Sequence, residues 1–194
     1  MNSLLLFLTR PFTSIIMKKH YAILLLFLTF APIAFAQVRQ TITKSSVTFK
    51  IKNLGINTGG NLSGLKGDIK FDPAHLDGST IETSIDANTI NTDNESRDHH
   101  LKSDSYFDVE KYPAITMKSV SFKHNSGNNY TGIFNLTIKD KTKLIEVPFT
   151  YTESGNTASF KGTFEIHRTD YGVGGKSMIM SNEVNISINV DTSK

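Results

Sequence analysis

The sequence predicts an all-β domain of about eight antiparallel strands, either a sandwich or an up-and-down barrel. Three observations carry this. Apolar residues recur at every second position in stretch after stretch, turn-forming pairs separate the stretches, and a single segment has helix signals. Alternation alone does not choose between the two architectures.

The chain opens on an address. After Met17 come Lys18-Lys19-His20, the apolar run Tyr21 to Ile33, and Ala34-Phe35-Ala36 before Gln37. A positive region, an apolar core and a small-x-small site in that order make a cleaved secretory signal. The run is shorter than the roughly 20 apolar residues of a spanning helix. A weaker apolar stretch in residues 1–16 ends at Arg10-Pro11, which points to Met17 as an alternative start. The expected division is therefore a signal peptide over 1–36 and one domain over 37–194, periplasmic or secreted.

The strands follow in order. Val47, Phe49 and Ile51 form the first alternating set, Ile69 and Phe71 the second, and Ile81, Thr83, Ile85 and Ala87 the third. Ile115 and Met117 begin a fourth whose parity slips before Val120 and Phe122, so a bulge is expected near Ser119. Tyr130, Gly132, Phe134, Leu136 and Ile138 make the fifth, and Ile145, Val147, Phe149 and Tyr151 the sixth. Ala158, Phe160, Gly162, Phe164 and Ile166, then Val184, Ile186, Ile188 and Val190, complete the set. Asp77-Gly78, Ser126-Gly127-Asn128 and Ser154-Gly155-Asn156 read as hairpin turns.

One segment breaks the pattern. Thr92-Asp93-Asn94-Glu95 reads as a capping box opening a helix from about Asp93 to Lys102. Arg97 and Leu101 share a face there, and Asp93 with Arg97 and Asp98 with Lys102 are spaced to pair.

Composition excludes several function classes. The chain has 194 residues, 38% hydrophobic and 20% charged, and no Cys, so disulfide scaffolds, thiolate metal sites and Cys nucleophiles are ruled out. The formal charge of +3 comes from Arg10, Lys18 and Lys19, since the remaining residues balance 18 acidic side chains. A neutral domain offers no electrostatic footprint for nucleic acid. Gly172, Gly174 and Gly175-Lys176-Ser177 resemble a phosphate loop only in part: Asp170 stands where a Gly is needed, and a strand follows instead of a helix. Asp98-His99-His100 is the densest group of metal-ligand types, but adjacent helical residues point about 100° apart, so a solvated face is expected and no metal site. No Gly-x-Ser-x-Gly elbow presents a nucleophile, which disfavours an enzyme.

Several stretches carry a family resemblance. Ser46-Val47-Thr48-Phe49-Lys50-Ile51-Lys52-Asn53-Leu54-Gly55 and Gly64-Leu65-Lys66-Gly67-Asp68-Ile69-Lys70-Phe71-Asp72-Pro73 are two of them. The most specific is Arg97-Asp98-His99-His100-Leu101-Lys102-Ser103, continuing through Phe107-Asp108-Val109 to Lys111-Tyr112-Pro113. Leu136-Thr137-Ile138-Lys139 with Thr142-Lys143, and Arg168-Thr169-Asp170-Tyr171-Gly172-Val173-Gly174, complete the series. In this order the chain resembles the YceI-like family of exported lipid-binding proteins. The resemblance implies a lipocalin-like eight-stranded antiparallel barrel with the short helix closing one end. It also implies an apolar cavity for a polyisoprenoid or related amphiphile, such as a quinone or a polyprenyl phosphate. Leu62, Asp140 and His167 depart from the family's usual Phe, Gly and Asn; Asp140 is expected to take the left-handed turn position, and Leu62 and His167 to alter the cavity wall.

The expected ligand contacts are inward residues of the alternating strands: Phe49, Ile51, Phe71, Ile85 and Met117, then Phe134, Leu136, Phe149, Phe160 and Phe164. The small Gly132 and Gly162 leave room between them. The helix motif adds Arg97, Leu101 and Phe107, and the last motif adds Arg168. Arg97 is expected to be the polar anchor at the closed end, held by Asp86 or Asp108, with surface pairing to Asp93 as the alternative. Burial of one isoprene unit would contribute about 4 kcal/mol at ~0.8 per CH₂, so cavity length and not affinity must set chain length. The expected role is an exported binding protein for carriage or storage, with bound lipid as ligand, no further cofactor and transient membrane contact. The competing roles are a packed barrel acting in stress or protein interaction, and an exported hydrolase.

The signal reading has a direct check. N-terminal sequencing of the exported protein is expected to begin at Gln37, and a membrane-bound form retaining residues 17–36 would contradict it.

Overall fold

Alternation becomes curvature when each strand buries one face and pairs on both sides. The computed structural model describes residues 39–194, so the proposed signal segment and its cleavage site lie outside the described residues. Among them nine strands form: β1 Thr41–Asn53, β2 Ile56–Leu62, β3 Lys66–Lys70, β4 Thr80–Asp86, β5 Ala114–Ser126, β6 Asn129–Ile138, β7 Lys141–Ser154, β8 Thr157–His167 and β9 Met180–Ser193. All are antiparallel in one curled sheet of order β2-β1-β9-β8-β7-β6-β5-β4-β3. Among the described residues one α-helix, α1, spans Glu95–Lys102. The fold is thus all-β and antiparallel with one helix, as expected, but the sheet curls into a half-barrel and has nine strands where eight are expected.

The additional strand is β2, Ile-Asn-Thr-Gly-Gly-Asn-Leu, which has no apolar alternation to reveal it. Its signal is the turn before it. Leu54 and Gly55 both have left-handed φ, 51° and 76°, as a two-residue hairpin turn requires, and Asn53 then faces Ile56. Glycine serves a second purpose in the strand itself, because a Cβ on Gly60 would run into the Asn91 carbonyl, the Phe49 ring and the Thr92 methyl.

The edges of the sheet meet at one end only. Just before β1, Gln40 donates its backbone N–H to the Ile69 carbonyl of β3 at 2.8 Å. Farther along, β1 pairs with β2 instead, so β2 and β3 do not pair with each other. The segment between β4 and β5, which carries α1, is tied to β2 by the reciprocal bridge Asn61–Asn91, at 2.8 and 3.0 Å.

Aromatic side chains fill the closed end. Phe71 lies 4.9–5.7 Å, centroid to centroid, from Phe122, Tyr130, Phe149, Tyr151 and Phe160. Pairs of this kind add about 0.5–1.5 kcal/mol each beyond area burial. Burial, then the Glu153 carboxylate that accepts from its hydroxyl at 2.7 Å, pushes the Tyr151 phenol well above its ordinary range. Lys194, and then Tyr151, hold Glu153 below the usual carboxylate range.

The bulge falls where expected. Ser119 faces Phe134 and Ser121 faces Ile133, leaving Val120 as the additional residue, turned to solvent. Gly127 and Gly155 occupy left-handed positions in the β5–β6 and β7–β8 turns. Asp77-Gly78 does not form a tight hairpin; it lies in a short 3-10 turn, Leu76–Gly78, inside a longer β3–β4 connection. Between β6 and β7 the left-handed residue is Lys139, not Asp140. Among the described residues no helix is long and apolar enough to cross a membrane.

Candidate ligand-binding site

Away from the aromatic end the inward faces of the strands do not meet, and they enclose a cavity of about 190 Å³. Phe49, Ile51, Ile85, Met117, Leu136 and Phe164 stand on its wall, as the alternation predicts. Arg97, Leu101, Phe107 and Arg168 also line it. A smaller cavity of about 70 Å³ lies against it, with Leu65, Thr83, Met117 and Ile188 as shared walls. Phe134, Phe149 and Phe160 line this second space. Phe71 lines neither; it is the ring around which the aromatic cluster packs.

The two small residues expected to leave room differ in outcome. Gly162 borders the smaller cavity, but the space at Gly132 is already occupied by the rings of Phe134 and Phe122. Leu62 is on the main wall, whereas His167 is exposed on the outer face of β8. Wall residues that the sequence does not assign to the cavity include Thr92, Tyr106, Val173 and Met180. Thr92, Tyr106 and Val173 belong to connections, where no periodicity points inward.

The polar part of the wall is built at the start of α1. Asp93 has a left-handed φ of 55°, which redirects the chain before the helix, so Asn94 and not Thr92 is the cap. Its side-chain oxygen accepts from Arg97 N–H at 2.9 Å. The expected Thr92–Glu95 capping box is therefore not formed. Thr92, 6% exposed, donates both its backbone N–H and its hydroxyl to Asp98 Oδ1, at 2.9 and 2.5 Å. With its proton committed to Asp98, the Thr92 oxygen accepts from Arg97 Nε at 2.8 Å, and the Thr92 carbonyl accepts from Nη2 at 2.6 Å. This Arg97–Thr92–Asp98 relay replaces the expected ion pairs: among the described residues Arg97 makes no salt bridge to Asp86, Asp108 or Asp93. Asp98 is accordingly a positioning group, whereas His99 and His100 are exposed and His100 packs on Tyr106 at 4.7 Å.

Arg168 supplies the second cation. It is 4% exposed, and its Nε and Nη1 donate to the carbonyls of Ser181 and Val173 at 2.9 and 3.0 Å. No carboxylate pairs with it among the described residues. Gly174 makes this packing feasible: its φ is 67°, and a Cβ would lie 2.9 Å from both Arg168 Nη1 and the Tyr106 ring. The Gly174 N–H also donates to the Ser105 carbonyl at 2.9 Å, joining the chain after α1 to the loop after Arg168. Nη1 of Arg97 and Nη2 of Arg168 have no hydrogen-bond partner among the described residues. An apolar chamber with two cationic wall groups suits a molecule with a long apolar body and an acceptor-rich head.

One group of metal-ligand types lies elsewhere. Glu165 and His167 on β8 and Glu183 on β9 bring ligand atoms within 4.8 Å of one another, all exposed on the outer face. They are separate from the cavity.

Comparison with known proteins agrees with this geometry. The model of the YceI-like domain matches residues 39–192. A UPF0312 protein of Yersinia pestis is 28% identical over 152 residues, covering 75% of this chain and 79% of the relative. Among solved structures, Burkholderia cenocepacia BcnA aligns with a TM-score of 0.72 and 27% identity over 76% of this chain and 95% of its own. A polyisoprenoid binding domain from Saccharophagus degradans, implicated in plant cell wall breakdown, aligns at 0.64 with 14% identity, covering 81% and 99%; at that identity the likeness concerns the fold.

The relay has a measurable consequence. Thr92→Val keeps the shape but removes the hydroxyl from both Asp98 and Arg97, and it is expected to lower unfolding free energy by about 1–3 kcal/mol. Thr92→Ser should restore most of it. Urea denaturation of the three proteins checks this, and an unchanged midpoint for Thr92→Val would contradict it.

Proposed function

The chain belongs to the YceI-like family, and from that membership and the cavity we propose that it is an exported binding protein for a polyisoprenoid or related amphiphilic lipid. It carries or stores the lipid without converting it. The ligand's apolar chain lies along the Phe- and Ile-rich wall, and Met117 stands where the two cavities meet. The head, a quinone or a phosphate, takes the hydrogen-bond donors that Arg97 and Arg168 leave unused.

One observation carries this reading: a 4% exposed arginine, with no carboxylate paired to it among the described residues, on the wall of an apolar chamber. A buried charge is costly unless its hydrogen bonds are filled. Two backbone carbonyls fill part of that need, and an acceptor on the ligand would fill the rest. The alternative of a packed barrel without lipid expects no cavity, so the chamber counts against it. The fold neighbour from Saccharophagus degradans is described as a polyisoprenoid binding domain; it supports the choice of ligand class by analogy of fold. In this account the segment through Ala36 is removed on export and the remaining domain works in the periplasm or outside the cell.

Thermal unfolding tests the proposal. Delipidated protein with a polyprenyl phosphate at a hundredfold excess over Kd should gain about 2.7 kcal/mol, seen as a rise in Tm of roughly 5–10 °C. Met117→Trp, which fills the junction of the two cavities, should abolish the rise while retaining the fold by circular dichroism. Failure of every isoprenoid tested to raise the Tm of the unmodified protein would contradict the proposal.

A further inference from the structure

Two turns at one rim of the half-barrel present large apolar side chains to solvent. Leu54 and Ile56 flank Gly55 in the β1–β2 turn and are 69% and 70% exposed; Met178 is fully exposed and Ile179 56% exposed in the loop before β9. The two turns are neighbours, since Leu54 N–H donates to the Ile179 carbonyl at 2.8 Å and Asn53 faces Met180. The other large exposed apolar residues, Val120 and Leu144, stand singly on β5 and β7.

The rim is held in this state by its own backbone. Ser177 Oγ accepts from Ile179 N–H at 3.2 Å and from Met180 N–H at 3.1 Å, fixing the loop with its apolar residues outward. Leu54 occupies a left-handed turn position, φ 51°, where Asn, Asp or Gly is ordinary and a leucine is strained. An exposed leucine in a strained turn gives nothing to folding, and such breaks in local preference mark functional sites.

Charge points to the kind of partner. Lys52 adjoins the β1–β2 turn and Lys176 lies in the loop before β9; residues 51–62 and 171–182 contain no carboxylate, with Asp170 and Glu183 just outside the second stretch. Apolar tips framed by lysine fit a surface with anionic head groups over an apolar layer. The rim also adjoins the chamber: Asn53, Thr58 and Met180, beside or near the exposed residues in the chain, line the main cavity.

We infer that Leu54, Ile56, Met178 and Ile179 form a membrane-docking rim that inserts into an anionic phospholipid bilayer and sets the lipid cavity against the membrane. The inference rests on the reading of the cavity as a lipid site, and it gives that site its route of loading.

The chain contains no Cys, so a single engineered thiol can report one position. Met178→Cys, expressed from the full sequence, recovered after export and labelled with bimane, is mixed with vesicles of phosphatidylglycerol and phosphatidylethanolamine. A blue shift of emission, and quenching by spin-labelled lipid, are expected; the same label at Leu144→Cys should stay silent. Adding Ile56→Asp to the Met178→Cys protein should weaken the response at least tenfold, and vesicles of phosphatidylcholine alone should bind less. No shift at Met178→Cys, or an equal shift at Leu144→Cys, overturns the inference. The isoprenoid thermal shift is read in vesicle-free solution, so a silent rim on protein that still binds isoprenoid defeats docking alone and leaves the cavity reading standing.

Discussion

The structure depends on the closure at Gln40. This side chain is 1% exposed, and both ends of its amide are engaged: Nε2 donates to the Phe71 carbonyl at 3.1 Å and Oε1 accepts from Thr192 Oγ1 at 2.7 Å. A buried amide without partners costs several kcal/mol at the upper end of transfer estimates, about 2–7. Here the partners lie just past the end of β3 and on β9, so satisfying the amide fixes where β1 and β3 meet. Closure at that end brings Phe71 among its five aromatic neighbours. Because β1 then turns to β2 for its next partner, the sheet cannot close along its full length, and the space left over becomes the cavity.

The site follows from that incomplete closure. The edge strands diverge, and the segment carrying α1 crosses between them, held to β2 by the Asn61–Asn91 bridge. Its Arg97 enters the wall on the Thr92–Asp98 relay. Arg168 is pressed inward by the loop that Gly174 allows to approach. Apolar strands and two cationic connections thus come from different parts of the sequence and share one chamber. The division of labour is physical: rigid strands shape the apolar space, and the connections place the cationic groups on its wall.

Much of this was legible in the residues. Period-two alternation located eight strands and turned Phe49, Ile85, Met117 and Phe164 inward, because the pleat leaves no other choice. The parity slip revealed the bulge beside Ser119. Alternation does not say whether an inward ring meets a void or another ring, and so Phe71 and Gly132 were expected at a cavity and belong to packing. β2 escaped because its glycines serve backbone approach instead of side-chain burial. The cap of α1 moved from Thr92 to Asn94 because Asp93 adopts a left-handed conformation, and the same shift released the Thr92 hydroxyl for Asp98 and Arg97. Tertiary need decided these positions, and no local pattern records it.

The central claim is that the chamber holds an isoprenoid amphiphile in the working protein. Mass spectrometry of an organic extract tests it most directly, using protein recovered from its native cell envelope without detergent. The account predicts a near-stoichiometric isoprenoid with an oxygen-rich head, lost from the Met117→Trp protein prepared in the same way. An extract with no amphiphile above the level found with that variant would contradict it.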